Sequence, residues 1–328
     1  MKAINKNFYN FLILIITLSV LSGCAPAKPP IKIAISAWAG VEPAELAAQL
    51  GFYEKRGVKV ELKRFSTYSD SIDALRDGKT DAGMHTLDDT IRNISSGRDV
   101  RVVLLTDYSN GADGIVVRPG IKTLDDLKGK KIGAEIGTVG HFSLLKILNI
   151  VGLTPKDVTI VSIPAWEIQQ NMINGAIDAG VTWEPFLSDT ANKINGNILI
   201  TSRDYPETII TTMTFDNDVI RQRPDDVQKI TAAFFDAVEY MKNNPDDAYM
   251  RMGKAEGISA DEFKATTQGV QFLDMQANSN LFSARDDGKI YLLTKDIAQF
   301  LFDQRIIQTL PAVDQILEPK FVRTLSAK

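Results

Sequence analysis

From Ile31 onward, short apolar runs alternate with stretches whose apolar residues recur at helical spacing, a pattern that predicts an α/β chain. The first strand is read at Ile31 to Ala37. A helix follows with Pro43 in its first turn and a stop at Gly51, the proline-early, glycine-late order that helices favour. Val58, Val60 and Leu62 then alternate with Lys59, Glu61 and Lys63, which predicts a strand with one wet face. Further strands are read at Arg101 to Thr106, Gly114 to Arg118, Lys131 to Glu135, Val158 to Ile163 and Thr208 to Phe215. Toward the C-terminus, Asp225 to Met241 carries Phe234, Val238 and Met241 at helical spacing, and Lys289 to Gln304 reads as a second packing helix. Gln271 to Phe282 is rich in small polar residues and is expected at the rim of a cleft.

One internal echo organises the pattern. Gly78, Asp81, Ala82 and Gly83 recur as Gly175, Asp178, Ala179 and Gly180, 97 residues later. Each copy follows an amphipathic helix and leads into a short strand, so the chain is read as two related halves. Asp81 and Asp178 precede their strands and are expected to be turn or cap residues. Ligands of open α/β sheets sit at the carboxyl ends of strands. The segments that follow the two echo strands, Met84 to Asp88 and Val181 to Pro185, are therefore expected to face a common cleft.

Composition narrows the reading. Lys2 and Lys6, an apolar run from Phe11 to Leu21 too short to span a bilayer, and Leu21-Ser22-Gly23-Cys24 read as an export signal. The last four residues resemble the lipobox of bacterial lipoproteins, which implies lipidation of Cys24 and a mature chain starting there, anchored at the periplasmic or outer cell surface. Ala25 to Pro30, with three prolines, reads as a stiff tether. Without residues 1–23 the formal charge is −6, an acidic balance that argues against nucleic acid as a partner. The 305 residues left exceed one ordinary core and point to two lobes. Cys24 is the one cysteine, so the folded part holds no disulfide, thiol nucleophile or cysteine-ligated metal, and no metal or cofactor is expected.

Three motifs carry a family resemblance: Asp125 to Lys131 (DDLKGKK), Gly137 to Phe142 (GTVGHF) and Val181 to Leu187 (VTWEPFL). With them the chain resembles the nitrate, taurine and alkanesulfonate family of substrate-binding proteins that serve ABC importers. The resemblance implies a two-lobed periplasmic-binding-protein (type II) clamshell, each lobe a doubly wound mixed sheet. Lobe one is expected to hold 31–118 and 206–328, and lobe two 119–205, with hinge strands near Val117 and Thr211. It further implies a monomeric protein that hands a small anionic or zwitterionic solute to ABC permease and ATPase subunits.

The expected ligand-binding residues cluster in four loops. After strand one come Trp38, Ala39 and Gly40; in the first echo segment, His85 and Thr86; in the second, Trp183 and Glu184. The GTVGHF loop gives Gly137, Thr138, Val139 and His141, with Thr138 able to cap a helix whose free N–H groups favour an anion. Asp113 joins them at the start of a strand. Trp38, Trp183 and Tyr108 fall at strand ends, where packing and ligand contact are equally open to them. Asp88, Asp113, Glu135 and Glu184 supply more acid than a bare anion wants, and an acid that faces the cavity implies an amine on the ligand. Asp88, at a helix start, is read as solvated or capping. The two histidines lack a neighbouring nucleophile motif, so catalysis is not expected. The yeast-type pyrimidine-precursor synthase shares the implied fold but carries a cysteine-rich segment that this chain lacks. Two alternatives stay open: a ligand-presenting partner of a membrane sensor, and a binder of a pyrimidine thiamine precursor stacked on the tryptophans.

Overall fold

The computed structural model describes residues 28–283 and 288–327. The expected leader (1–23), Cys24 and the tether up to Ala27 lie outside the described residues. Eleven strands appear in chain order among the described residues: β1 (Ile31–Ile35), β2 (Val60–Arg64), β3 (Ala82–Thr86), β4 (Val100–Ser109), β5 (Asp113–Val117), β6 (Lys131–Ala134), β7 (Thr159–Ser162), β8 (Ala179–Trp183), β9 (Asn197–Thr201), β10 (Ile210–Asp216) and β11 (Val270–Phe272). They form two sheets, of order β11-β4-β10-β3-β1-β2 and β7-β6-β8-β5-β9.

Strand for strand, β2-β1-β3-β10-β4 of the first sheet matches β7-β6-β8-β5-β9 of the second. The echo sequence is the reason. β1 pairs β3 in parallel through Ile33 with Ala82 and Ala34 with Gly83, and β6 pairs β8 through Ile132 with Ala179 and Gly133 with Gly180. Asp81 accepts the Lys32 N–H at 2.8 Å and returns its own N–H to the Lys32 carbonyl at 2.9 Å. Asp178 does the same with Lys131, at 2.9 and 2.8 Å. Gly78 and Gly175 hold φ of 69° and 76°, left-handed turns that stop the preceding helices and suit glycine.

The crossing between lobes differs from expectation. A boundary at residue 118 assigned β5 to lobe one, yet β5 pairs antiparallel with β8 and β9 in the second sheet. The chain crosses at Asn110–Ala112 and returns between β9 and β10. Val117 therefore lies inside the second sheet, far from the crossing. Ser109 Oγ and Ser202 Oγ meet at 2.7 Å and tie the two crossing segments together, and the Gly111 N–H donates to Ser202 Oγ at 2.7 Å.

Each lobe has its own core. In the first, the helix Pro224–Asn243 buries Ile230, Phe234 and Val238, three residues of one helical face, in a core it shares with the neighbouring helices Glu42–Gln49 and Pro245–Glu256. In the second, Leu144 and Leu148 of the helix Val139–Ile150 cover one face of the sheet over Ile132 and Val181. Ile168, Met172 and Leu187 cover the other. Asn278 closes the outer edge of β4: Leu105 donates to its side-chain oxygen at 2.8 Å and accepts from its side-chain nitrogen at 2.9 Å. An asparagine amide there copies the pairing of a further strand residue.

Candidate ligand-binding cleft

The carboxyl ends of β1, β3 and β8 converge on a cavity between the lobes. The first lobe contributes Ser36, Ala37, Trp38 and Val41 from the loop after β1, Met84 and Thr86 from β3, and Tyr68 and Thr211. The second contributes Asp113, Val139 and Trp183, and the returning segment contributes Ile209. The lobes touch across it, with Tyr68 edge-on to Trp183 at 5.8 Å between ring centroids.

Hydrogen bonds beneath the wall fix its aromatic residues. The Trp38 indole N–H is shared by both oxygens of Asp107 at 3.2 and 3.3 Å. Asp107, on β4, also accepts from the hydroxyls of Thr106 at 2.7 Å and Thr211 at 3.1 Å. Burial pushes its carboxyl up to about 6, and these three donors hold it from rising further. Gly40 is needed here, because a Cβ would stand 1.9 Å from Asp107 Oδ2 and 2.4 Å from Trp38 Nε1. Tyr68, first residue of the helix Tyr68–Arg76, donates to Asp89 Oδ2 at 2.6 Å and accepts the Thr86 N–H at 2.9 Å. Thr86 Oγ1 donates to the same Asp89 oxygen at 2.7 Å. Arg92 pairs with Asp89 and stands 3.6 Å from Asp88, so its charge is met by these two buried acids.

Asp113 is held differently. It is 5% exposed, and its Oδ2 has no partner among the described residues. Burial, with Asp107, Asp88 and Glu184 adding like charge, pushes its carboxyl up to about 7. Directly across from it in the β5–β8 ladder stands Trp183, whose Nε1 is also buried and unpartnered.

Of the residues expected to touch ligand, the structure brings Trp38, Thr86, Asp113, Val139 and Trp183 to the cavity wall. The others stand outside it. His85 alternates with Met84 and Thr86 and so points to the far face of β3, where Ser71 Oγ lies 2.9 Å from its Nε2 and burial pushes the imidazole down to about 3. Ala39 and Gly40 lie in the tight turn Ala39–Val41 behind Trp38. Gly137 supplies a left-handed turn (φ 86°), and Thr138 caps the next helix, accepting the Gly140 N–H at 3.3 Å and donating to the Glu135 carbonyl at 2.8 Å. His141 is half-buried, its imidazole held low first by burial and then by Arg92. Glu184 caps the helix Phe186–Ile194, accepting the Ser188 hydroxyl at 2.6 Å and N–H at 3.2 Å.

Further expectations change as well. Asp88 is neither solvated nor capping; it is buried beside Arg92, and burial raises its carboxyl. Glu135 borders an adjoining pocket with Trp166, and Tyr108 is buried next to Asp107 without reaching the cavity wall. No residue of Gln271 to Phe282 lines the cavity, because β11 and Asn278 are used at the edge of the first sheet. Sequence reading missed Tyr68 and Asp107. Tyr68 had a signal: Thr67, three residues before Asp70, caps a helix directly after β2, and its Oγ1 accepts the Asp70 N–H at 3.1 Å. Asp107 had none, since an acid inside an apolar strand is recognised only by what surrounds it. Among the described residues no group of three or more His, Cys, Asp or Glu side chains is placed to hold a metal ion.

The family model described as "NMT1/THI5 like" matches residues 40–248, most of the chain. The chain belongs to the NMT1/THI5-like family. Among relatives of this NMT1/THI5-like protein, the taurine-binding periplasmic protein of Escherichia coli is 23% identical over 297 residues, 88% of this chain and 91% of that one. The 4-amino-5-hydroxymethyl-2-methylpyrimidine phosphate synthase of Schizosaccharomyces pombe is 30% identical over 141 residues, 42% of this chain and 40% of the enzyme. The solved alkanesulfonate-binding protein SsuA of Xanthomonas axonopodis pv. citri, bound to MOPS, superposes with a TM-score of 0.76 at 18% identity, covering 90% of this chain and 100% of that one. The shared fold is that of the two-lobed periplasmic binding proteins.

Proposed function

We propose that this NMT1/THI5-like protein is an extracytoplasmic solute-binding protein that captures a small anionic or zwitterionic solute, of taurine, alkanesulfonate or nitrate type, between its lobes and delivers it to an ABC importer. The observation that carries this reading is the cavity itself: both lobes build it, it lies at strand carboxyl ends, and among the described residues the chain crosses twice beside it, so closing the lobes encloses a ligand. The taurine-binding relative and the alkanesulfonate-binding neighbour support the solute class. The permease recognises the closed form, and an anchor at Cys24 in the periplasm or at the cell surface keeps a monomer within its reach. Catalysis has little support in the wall, where Tyr68 is committed to Asp89 and Thr86, and the hydroxyls of Thr86 and Thr211 are tied to carboxylates that other donors already share. A second reading, binding of a pyrimidine thiamine precursor, is favoured by the three aromatic walls and by the partial match to the fission-yeast synthase. Titration of the purified protein with sulfonates, taurine, nitrate, amino acids and pyrimidines tests the proposal. A solute of this size that raises Tm and contracts the protein in small-angle scattering supports it; tight binding with no contraction refutes capture between lobes.

A further inference from the structure

The cavity wall leaves two buried polar atoms unpartnered, and they are of opposite kind. Asp113 Oδ2 only accepts when ionised; Trp183 Nε1–H only donates. Their residues stand directly opposite in the β5–β8 ladder, where facing Cβ atoms lie about 4.5–5.5 Å apart, and both line the cavity. Buried polar atoms in native structures are nearly always paired, so two orphans on neighbouring residues of one cavity wall point to the polar contacts of its occupant. The neighbouring charges are already satisfied: Asp107 by Trp38, Thr106 and Thr211, and Asp89 by Tyr68, Thr86 and Arg92. No lysine or arginine is among the described residues that line the cavity, so a bare anion would meet Asp113 with no cation to balance it.

We propose that the cavity selects a solute bearing an amino nitrogen beside a hydrogen-bond acceptor, the nitrogen donating to Asp113 Oδ2 and the acceptor receiving Trp183 Nε1–H. The apolar part of the solute then packs among Trp38, Tyr68 and Val139. This rests on the solute-binding reading and narrows it from anions in general to amino-bearing solutes. Two sources share this chemistry, an aminosulfonate and an amino-substituted heteroaromatic ring.

Calorimetric titration of the purified protein with matched pairs separates them: taurine against propane-1-sulfonate, and 4-amino-2-methylpyrimidine against 2,4-dimethylpyrimidine. In one pair the amino member binds about 10- to 100-fold more tightly, as expected for a hydrogen bond to a buried charge. Asp113→Asn brings that preference within about threefold, while Trp183→Phe, which keeps a ring and removes the N–H, weakens both members and leaves the preference. Thermal melts show that both variants are folded. Tighter or equal binding of the members without the amino group, or of nitrate, overturns the proposal, as does a preference that survives Asp113→Asn. If no member binds, native mass spectrometry of the protein as purified decides: a retained amino-bearing solute supports the proposal and a retained solute without an amino group overturns it. No retained solute at all overturns the solute-binding reading and this one with it.

Discussion

Asp113→Asn should stabilise the ligand-free protein at alkaline pH, because the buried, unpartnered carboxyl of Asp113 is ionised there at a cost to the fold. Its carboxyl rises from the ordinary 3.8 to about 7, chiefly by burial and then by Asp107, Asp88 and Glu184. At 1.36 kcal/mol per unit, the ionised side chain opposes folding by about 4 kcal/mol above pH 7. An asparagine removes that penalty but leaves an amide N–H unpaired, at about 1–3 kcal/mol, so the net gain is about 1–3 kcal/mol. The sign follows from proton linkage. Below the unfolded value both states are neutral and the penalty is absent; between pH 4 and 7 the unfolded state loses its proton while the folded state keeps it. The Tm of Asp113→Asn should thus exceed that of the wild type by several degrees at pH 8, with the advantage gone by pH 4. Calorimetric melts across that range measure it. A variant less stable at pH 8, or a difference independent of pH, would refute the placement of a desolvated carboxylate in the cavity.

Three other substitutions separate positioning, contact and scaffold. Asp107→Ala frees the Trp38 indole and orphans the hydroxyls of Thr106 and Thr211; it should cost about 2 kcal/mol in urea unfolding and change the tryptophan emission on ligand addition, and an unchanged titration would show that Trp38 needs no anchor. Trp183→Ala removes a buried ring packed on Tyr68 and Phe186; it should abolish ligand binding and destabilise by about 3 kcal/mol, and wild-type affinity by calorimetry would remove Trp183 from the site. Asp178→Ala loses only its bond from the Lys131 N–H, so urea midpoints should report a loss of about 1–2 kcal/mol with ligand affinity unchanged; a large drop in affinity would mean the echo aspartate is functional.

What the sequence revealed of the fold came from features with local periodicity. Alternation and helical spacing placed most strands within a residue or two, and the repeated aspartate turns disclosed two related sheets because each aspartate bonds to a strand close in the topology. The lobe boundary was missed for the converse reason: β5 follows β4 after three residues, and nothing local shows that it pairs with β8 and β9. The site was legible at strand ends and illegible in depth. His85 and Thr86 are neighbours in sequence, yet the strand's two-residue period sends one into the wall and the other behind it. Asp107 sits among apolar strand residues whose order says nothing of Trp38, 69 positions earlier.

The closed arrangement does not depend on the cavity alone. Phe142, from the helix that begins at Val139 in the second lobe, packs edge-on against Phe300 of the helix Lys289–Asp303 at 5.7 Å between centroids, and Lys146 stands 3.8 Å over the same Phe300 ring. Phe142 thereby joins the core of the first lobe although its own helix covers the second sheet. This contact and the Tyr68–Trp183 edge are two separate junctions between lobes, and only the second borders the cavity. Opening must break both, while a ligand strengthens only the one it touches. On the proposed contacts, its hold on the closed form is set by what it adds at Asp113, Trp38 and Trp183, against a closure already part-stabilised elsewhere. An acid kept unpaired in that wall then has a physical use: ionised, it makes the empty cavity costly to close and the filled one favourable.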